Sequence, residues 1–140
     1  MLEIFSLDDD NNFHLKVTAV LGDYKIKMIV DTGASRTVFD KNSISLLLPN
    51  IEITLSDQVS SGLGTNSMVS HLALLPMLSI GNLKLNDYET VILDLENVNS
   101  VYRGLGFEEV AGVLGCDILL KYGAVINFNE KSLVFSTFSN

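Results

Sequence analysis

One carboxylate in this chain has surroundings suited to chemistry. Residues 29 to 39 read Ile-Val-Asp-Thr-Gly-Ala-Ser-Arg-Thr-Val-Phe: an apolar strand, a tight turn presenting Asp31, and a second apolar strand. Strands that pull the backbone into a core on both sides raise the cost of desolvating that side chain, and a desolvated carboxylate is poised for acid–base work. Gly33 lets the turn close, and Thr32 offers a hydroxyl to tie it down. Short Asp-Thr-Gly strings also occur as ordinary turns, so the rest of the chain must decide. A glycine loop, Ser61-Gly62-Leu63-Gly64-Thr65, lies between two strands downstream. Further on, Val113-Leu114-Gly115-Cys116-Asp117-Ile118-Leu119 sets two apolar residues and a glycine directly before a short helix.

Other reactive side chains read as structural. His14 and His71 lie on alternating strand stretches without metal-ligand spacing, as surface histidines do. Cys116 is the single cysteine, which excludes an intrachain disulfide and fits a reducing compartment. Neither histidine comes with a partner that would make Cys116 a nucleophile. Met28 and Met68 read as filler of a core or cleft.

The elements that must position Asp31 are mostly strands. Tryptophan is absent, proline occurs twice, and ten glycines interrupt short apolar stretches, the punctuation of an all-β chain. Strands are predicted over 2–7, 13–21, 24–30, 37–40, 52–55, 68–74, 78–80, 83–85, 88–93, 124–128 and 133–138. Gly22-Asp23 and Gly81-Asn82 read as tight hairpin turns. One or two helical turns are predicted over 41–48, ahead of Pro49. A helix is predicted over 115–122, with leucines at helical spacing and Gly123 as its stop. Residues 94–111 are the least regular and read as an insertion. The sum is a closed, antiparallel-rich β barrel with one short C-terminal helix.

At 140 residues the chain is expected to form one domain, 1–140. Apolar residues make up 47% and charged ones 19%, with a mean hydropathy of +0.33. That is rich for a lone domain and points to apolar surface in a subunit interface. No apolar run approaches a membrane span, and the first residues show no secretory signal, so a cytoplasmic location is expected. Net charge is −8. Nine basic residues scattered singly leave no phosphate-binding footprint, which argues against nucleic acid or membrane partners.

With these parts in order, the chain resembles the retropepsin-like aspartic proteases, the single-lobed relatives of pepsin. The resemblance rests on Ile29-Val30-Asp31-Thr32-Gly33-Ala34, a hairpin centred near Gly62, Leu63 and Gly64, and Val113-Leu114-Gly115, in that order, over about residues 13–135. It implies a retropepsin-like barrel with a flap hairpin, an endopeptidase activity, and Asp31 as its catalytic residue. It further implies that Thr32 reaches across a two-fold axis, that Gly33 and Ala34 support the turn, and that Gly62, Leu63 and Gly64 close over an extended peptide. Val113, Leu114 and Gly115 would pass behind the active-site loop.

Peptide hydrolysis by carboxyl groups alone needs an acid and a base together, and two close carboxylates share one proton. Only Asp31 has the Asp-Thr-Gly context. The second carboxylate is therefore expected from a second copy, across a two-fold axis. Water would attack directly, with neither metal nor cofactor. Ala34 offers the carboxylate no hydroxyl, so activity is expected to extend toward mildly acidic or near-neutral pH. Three weaker expectations remain. Arg36 and Asp117 form an ion pair, or else Asp117 is simply an acid at a helix N-terminus. Tyr102, Leu105 and Phe107 wall a pocket, rest on the core or thicken an interface. The chain ends, 2–7 and 133–138, supply edges that a second copy completes. The alternatives to a homodimeric endopeptidase are an inactive dimer that binds peptides or acts as a scaffold, and a processing module from a polyprotein.

Overall fold

A computed structural model describes residues 2–8, 12–60 and 68–137. The strands are β1 (Leu2–Asp8), β2 (Asn12–Leu21), β3 (Tyr24–Val30), β4 (Val38–Asp40), β5 (Ile53–Ser60), β6 (Met68–Ile80), β7 (Leu83–Leu93), β8 (Gly112–Leu114), β9 (Ala124–Asn127) and β10 (Ser132–Phe135). Helices α1 (Lys41–Leu47), α2 (Glu96–Gly104) and α3 (Cys116–Lys121) are interspersed.

Eight strands form one sheet in the order β1-β2-β3-β8-β4-β7-β6-β5, and a further pairing of β2 with β6 closes β2, β3, β8, β4, β7 and β6 into a barrel. Closure removes the free edges that an open sheet would leave within the ring. Pairings β3–β8 and β4–β7 are parallel, the others antiparallel. The β2–β3 and β6–β7 hairpins turn through Gly22 and Gly81, at φ +60° and +57°. Those left-handed values suit glycine at a two-residue turn. Alternation then does the sorting: Ile26, Met28 and Val30 of β3 point into the barrel, where they meet Phe39, Leu78, Leu85, Ile92 and Leu114. Truncating a fully buried leucine here, such as Leu78, costs about 2–5 kcal/mol.

Two features depart from the sequence reading. The stretch 94–111 is not irregular throughout, because α2 occupies its first half. The Asn99 side chain accepts from the Val110 amide at 2.8 Å and donates to the Val110 carbonyl at 3.0 Å, tying the helix to the chain that follows. Secondly, β6 and β7 are each continuous. Pairing keeps one register on both sides of Pro76 (Leu75↔Tyr88, Met77↔Asn86). On its other edge β6 pairs with β5 as far as Ala73 and with β2 from Leu78. Pro76 therefore stands where no ladder bond is required of its missing N–H. Asp87 nearby takes φ +52°. The tip residues Gly62, Leu63 and Gly64 lie outside the described residues; β5 and β6 pair as far as Ser60↔Met68. Among the described residues, no helix is long and apolar enough to cross a membrane.

Candidate active site

Asp31 leaves the end of β3, where its amide extends the β3–β8 ladder by donating to the Leu114 carbonyl at 3.0 Å. The chain then turns at once: the Ala34 amide donates to the Asp31 carbonyl at 3.1 Å, and the Gly33 amide donates to Asp31 Oδ1 at 2.8 Å. A Cβ on Gly33 would sit 3.1 Å from that same oxygen, so glycine is what lets the amide reach it. Asp31 is half-buried and Thr32 exposed. Among the described residues, Gly33 alone hydrogen-bonds the carboxylate.

Behind this turn runs Val113-Leu114-Gly115, buried throughout. A Cβ on Gly115 would fall 2.7 Å from the Arg36 carbonyl carbon, 2.8 Å from its oxygen and 2.9 Å from the Ala34 oxygen. Only glycine allows two backbones to approach so closely. The Cys116 amide then donates to the Ala34 carbonyl at 2.8 Å, and its Sγ lies 3.0 Å from the Thr32 carbonyl. The structure thus brings Asp31, Thr32, Gly33 and Ala34 together with Val113, Leu114 and Gly115.

A polar cluster flanks the contact. Asp117 Oδ1 accepts from both the Thr37 amide (2.8 Å) and the Thr37 hydroxyl (2.7 Å), while Oδ2 accepts from the Tyr88 hydroxyl at 3.3 Å. Thr37 Oγ1 accepts in turn from the Gly115 amide at 2.9 Å, and the Thr37 carbonyl accepts from Thr90 Oγ1 at 3.3 Å. Burial, with the Asp117 carboxylate beside it, pushes the Tyr88 hydroxyl well above the ordinary tyrosine range. The expected Arg36–Asp117 ion pair is not made. Thr37 is buried and its donors need an acceptor, whereas Arg36 is exposed and does not depend on a protein partner.

A second apolar cluster adjoins the turn. Val38, Leu93, Leu95 and Val113 pack together with Ile29, Ala34 and Val91, on the face of β3, β4, β7 and β8 that points away from the barrel interior. Sequence reasoning passed over Val38, Val91, Leu93 and Leu95. Their signal was present in the unbroken apolar pairs Ile29-Val30, Val38-Phe39 and Val113-Leu114, because strands apolar on both faces are covered on both.

The candidates in 94–111 separate. Tyr102 is buried, Phe107 half-buried, and Leu105 half-exposed. The segment is anchored at the barrel end away from the turn: the Leu95 amide donates to Asp40 Oδ1 at 3.0 Å and the Ala111 amide to the Lys27 carbonyl at 2.8 Å. Lys27 is four residues from Asp31 along β3, roughly 13 Å at about 3.3 Å per residue. A groove of about 640 Å³ at that end, lined by Lys25, Lys27, Leu46 and Glu109 among others, does not include Asp31. Among the described residues no group of three or more His, Cys, Asp or Glu side chains is placed to hold a metal ion.

Comparison with known proteins agrees with this geometry. A family model described as aspartyl protease matches residues 17–118. No curated protein sequence matches the chain. Among solved structures, it is similar to the retroviral protease-like domain of Ddi1 from Leishmania major (TM-score 0.59, 12% identity, covering 87% of each chain). It is also similar to a retropepsin-like aspartic protease from Rickettsia conorii (TM-score 0.54, 20% identity, 91% of this chain and 85% of that one). A third similar structure is EIAV protease in complex with the inhibitor HBY-793 (TM-score 0.55, 15% identity, 86% and 99%). These likenesses show a retropepsin-like fold.

Proposed function

The chain belongs to the aspartyl protease family, and on that premise we propose that it is a homodimeric aspartic endopeptidase whose reacting pair is Asp31 from each of two copies. The reading is carried by one observation: a half-buried carboxylate at a strand end, clamped from behind by 113–116, in the one Asp-Thr-Gly turn the sequence contains. With one such group per chain, acid and base meet only across a two-fold axis.

The ionised member of the pair takes a proton from water as that water attacks the scissile carbonyl, and the protonated member donates to the carbonyl oxygen. Gly33 holds one carboxylate oxygen, so the other is left for proton exchange. Thr32, exposed at the turn, reaches the second copy. Ala34, half-buried with Ile29 and Val91 at the margin of the second apolar cluster, offers substrate an apolar contact, and Gly62, Leu63 and Gly64 close over it. The outer edge of β1 and the β9–β10 hairpin, with Val125 57% and Val134 49% exposed, provide the subunit contact.

Asp31→Asn keeps the shape and removes the proton chemistry. It should lower cleavage of a diverse peptide pool by at least about 10³-fold, while sedimentation shows the dimer intact. Cleavage by this variant, or by a wild-type monomer, would overturn the proposal. Wild-type protein that binds a hydroxyl-bearing transition-state mimic or a peptide yet cleaves nothing would identify a peptide-binding dimer instead.

A further inference from the structure

Asp117, Tyr88 and Thr37 are polar groups that the reaction does not consume, yet they converge on the turn that presents Asp31. They come from three elements far apart in sequence: α3, β7 and the approach to β4. Thr37 is 1% exposed, so its amide and hydroxyl need protein acceptors, and Asp117 Oδ1 serves both. A hydroxyl has one proton. Once that proton is committed to Asp117, the oxygen's lone pairs face the Gly115 amide, which donates at 2.9 Å. Gly115 is the residue whose backbone is pressed against Ala34 and Arg36. The path of 31–37 is thus set by a bond whose direction depends on an acceptor at 117. Tyr88 donates to the other carboxylate oxygen and fixes the carboxylate plane. Its hydroxyl keeps its proton at any ordinary working pH, because burial next to Asp117 raises it.

We propose that Asp117 is a positioning residue: held by Tyr88 from one side, its carboxylate orients Thr37 and, through Gly115, sets the height of the Asp31 turn. The proposal rests on the endopeptidase reading above, since its kinetic consequence is the approach of two Asp31 carboxylates. Asp117 touches neither substrate nor reacting atoms. It acts by placement, and a displacement of about 1 Å in a reacting group is enough to lower a rate by about 10²-fold.

The test uses full-length dimer carrying Asp117→Ala, Asp117→Asn or Tyr88→Phe. For each, kcat and KM are measured on one cleaved peptide over a range of pH, and amide hydrogen exchange is followed at Thr37 and Gly115. Asp117→Ala should lower kcat by about 10²-fold with KM changed less than about threefold, and both amides should exchange faster. Asp117→Asn retains an acceptor oxygen, so it should recover kcat to within about fivefold of wild type, with an unaltered pH profile and protected amides. Tyr88→Phe should fall between them. The proposal is overturned if Asp117→Asn is as impaired as Asp117→Ala, if its pH profile shifts, or if Asp117→Ala loses only dimer while kcat per dimer stays constant. A wild-type protein that cleaves no peptide would sink the endopeptidase reading alone. The exchange rates would still decide the placement of Thr37 and Gly115: protection unchanged in Asp117→Ala refutes it.

Discussion

Gly115→Ala adds a single methyl at the closest backbone approach in the molecule's candidate site. That carbon would sit 2.7–2.9 Å from three backbone atoms of Ala34 and Arg36, where ordinary contact begins at 3.4 Å. Backbone cannot rotate out of the way as a side-chain end can, so the two segments must separate by about 0.5–0.7 Å. Overpacking of this kind costs about 1–3 kcal/mol, which for a domain of this size lowers the melting temperature by roughly 3–10 °C. The movement falls on the bonds from Cys116 to Ala34 and from Gly115 to Thr37. By the same scaling of rate with displacement, kcat should drop by about 10- to 100-fold. The assay is thermal unfolding at matched protomer concentration, since dimers melt in a concentration-dependent way, together with peptide cleavage well below the melting range. Gly104→Ala is the matched control: its added carbon meets nothing within 4 Å and it lies in the last turn of α2. There the methyl should stabilise by about 0.5–1 kcal/mol and leave cleavage alone. If Gly115→Ala melts and cleaves like wild type, the segment 113–116 does not press on the Asp31 turn, and the site geometry described above is wrong.

Other outcomes follow from single side chains. Asp40→Ala removes the cap of α1, whose Ser43 amide and hydroxyl donate to Oδ2 at 3.0 and 2.9 Å, and orphans the buried Leu95 amide on Oδ1. A lost cap and an unsatisfied buried donor together cost about 2–4 kcal/mol, which denaturant titration would register as a lower midpoint. Tyr88 and Tyr102 are both raised by burial, so each holds its proton more tightly folded than unfolded. Their contribution to stability is complete below the ordinary tyrosine pKa of about 10 and is lost as pH climbs from there toward the raised folded value. The double variant Tyr88→Phe, Tyr102→Phe should therefore show a shallower loss of stability than wild type above about pH 10 in alkaline unfolding curves. An equal slope would mean that neither hydroxyl is buried in solution.

Local signals in the sequence carried the turn and most of the barrel. Asp31, Gly33 and their apolar flanks lie within eleven consecutive residues, and the Gly22 and Gly81 turns announce themselves by residue type. Helix α3 shows in its leucines and in Gly123, at φ +63°. What escaped depends on partners distant in sequence. Helix α2 carries Asn97, Asn99, Ser100 and valines, which favour helix weakly. It stands because Asn99, buried, grips Val110 and because Tyr102 is buried, while the exposed pairs of Arg103 with Glu96 and Glu109 add little. Pro76 reads as a break in any linear scan, and only the change of neighbour along β6 makes room for it. Of the two readings of Asp117, the ion pair with Arg36 fails and the acid in the first turn of a helix holds. An exposed ion pair is worth at most about 1 kcal/mol, whereas leaving the buried donors of Thr37 unmet costs about 1–3 kcal/mol each, so the neutral partners win.

The bonds from Leu114 to Asp31, from Cys116 to Ala34 and from Asp117 to Thr37 each span about eighty residues. During synthesis, a ribosome releasing this chain exposes the Asp-Thr-Gly segment long before the residues that brace it. Loops of that length close slowly. The Asp31 turn therefore cannot take its braced geometry until the intervening strands and residues 114–117 have left the ribosome and folded back onto it.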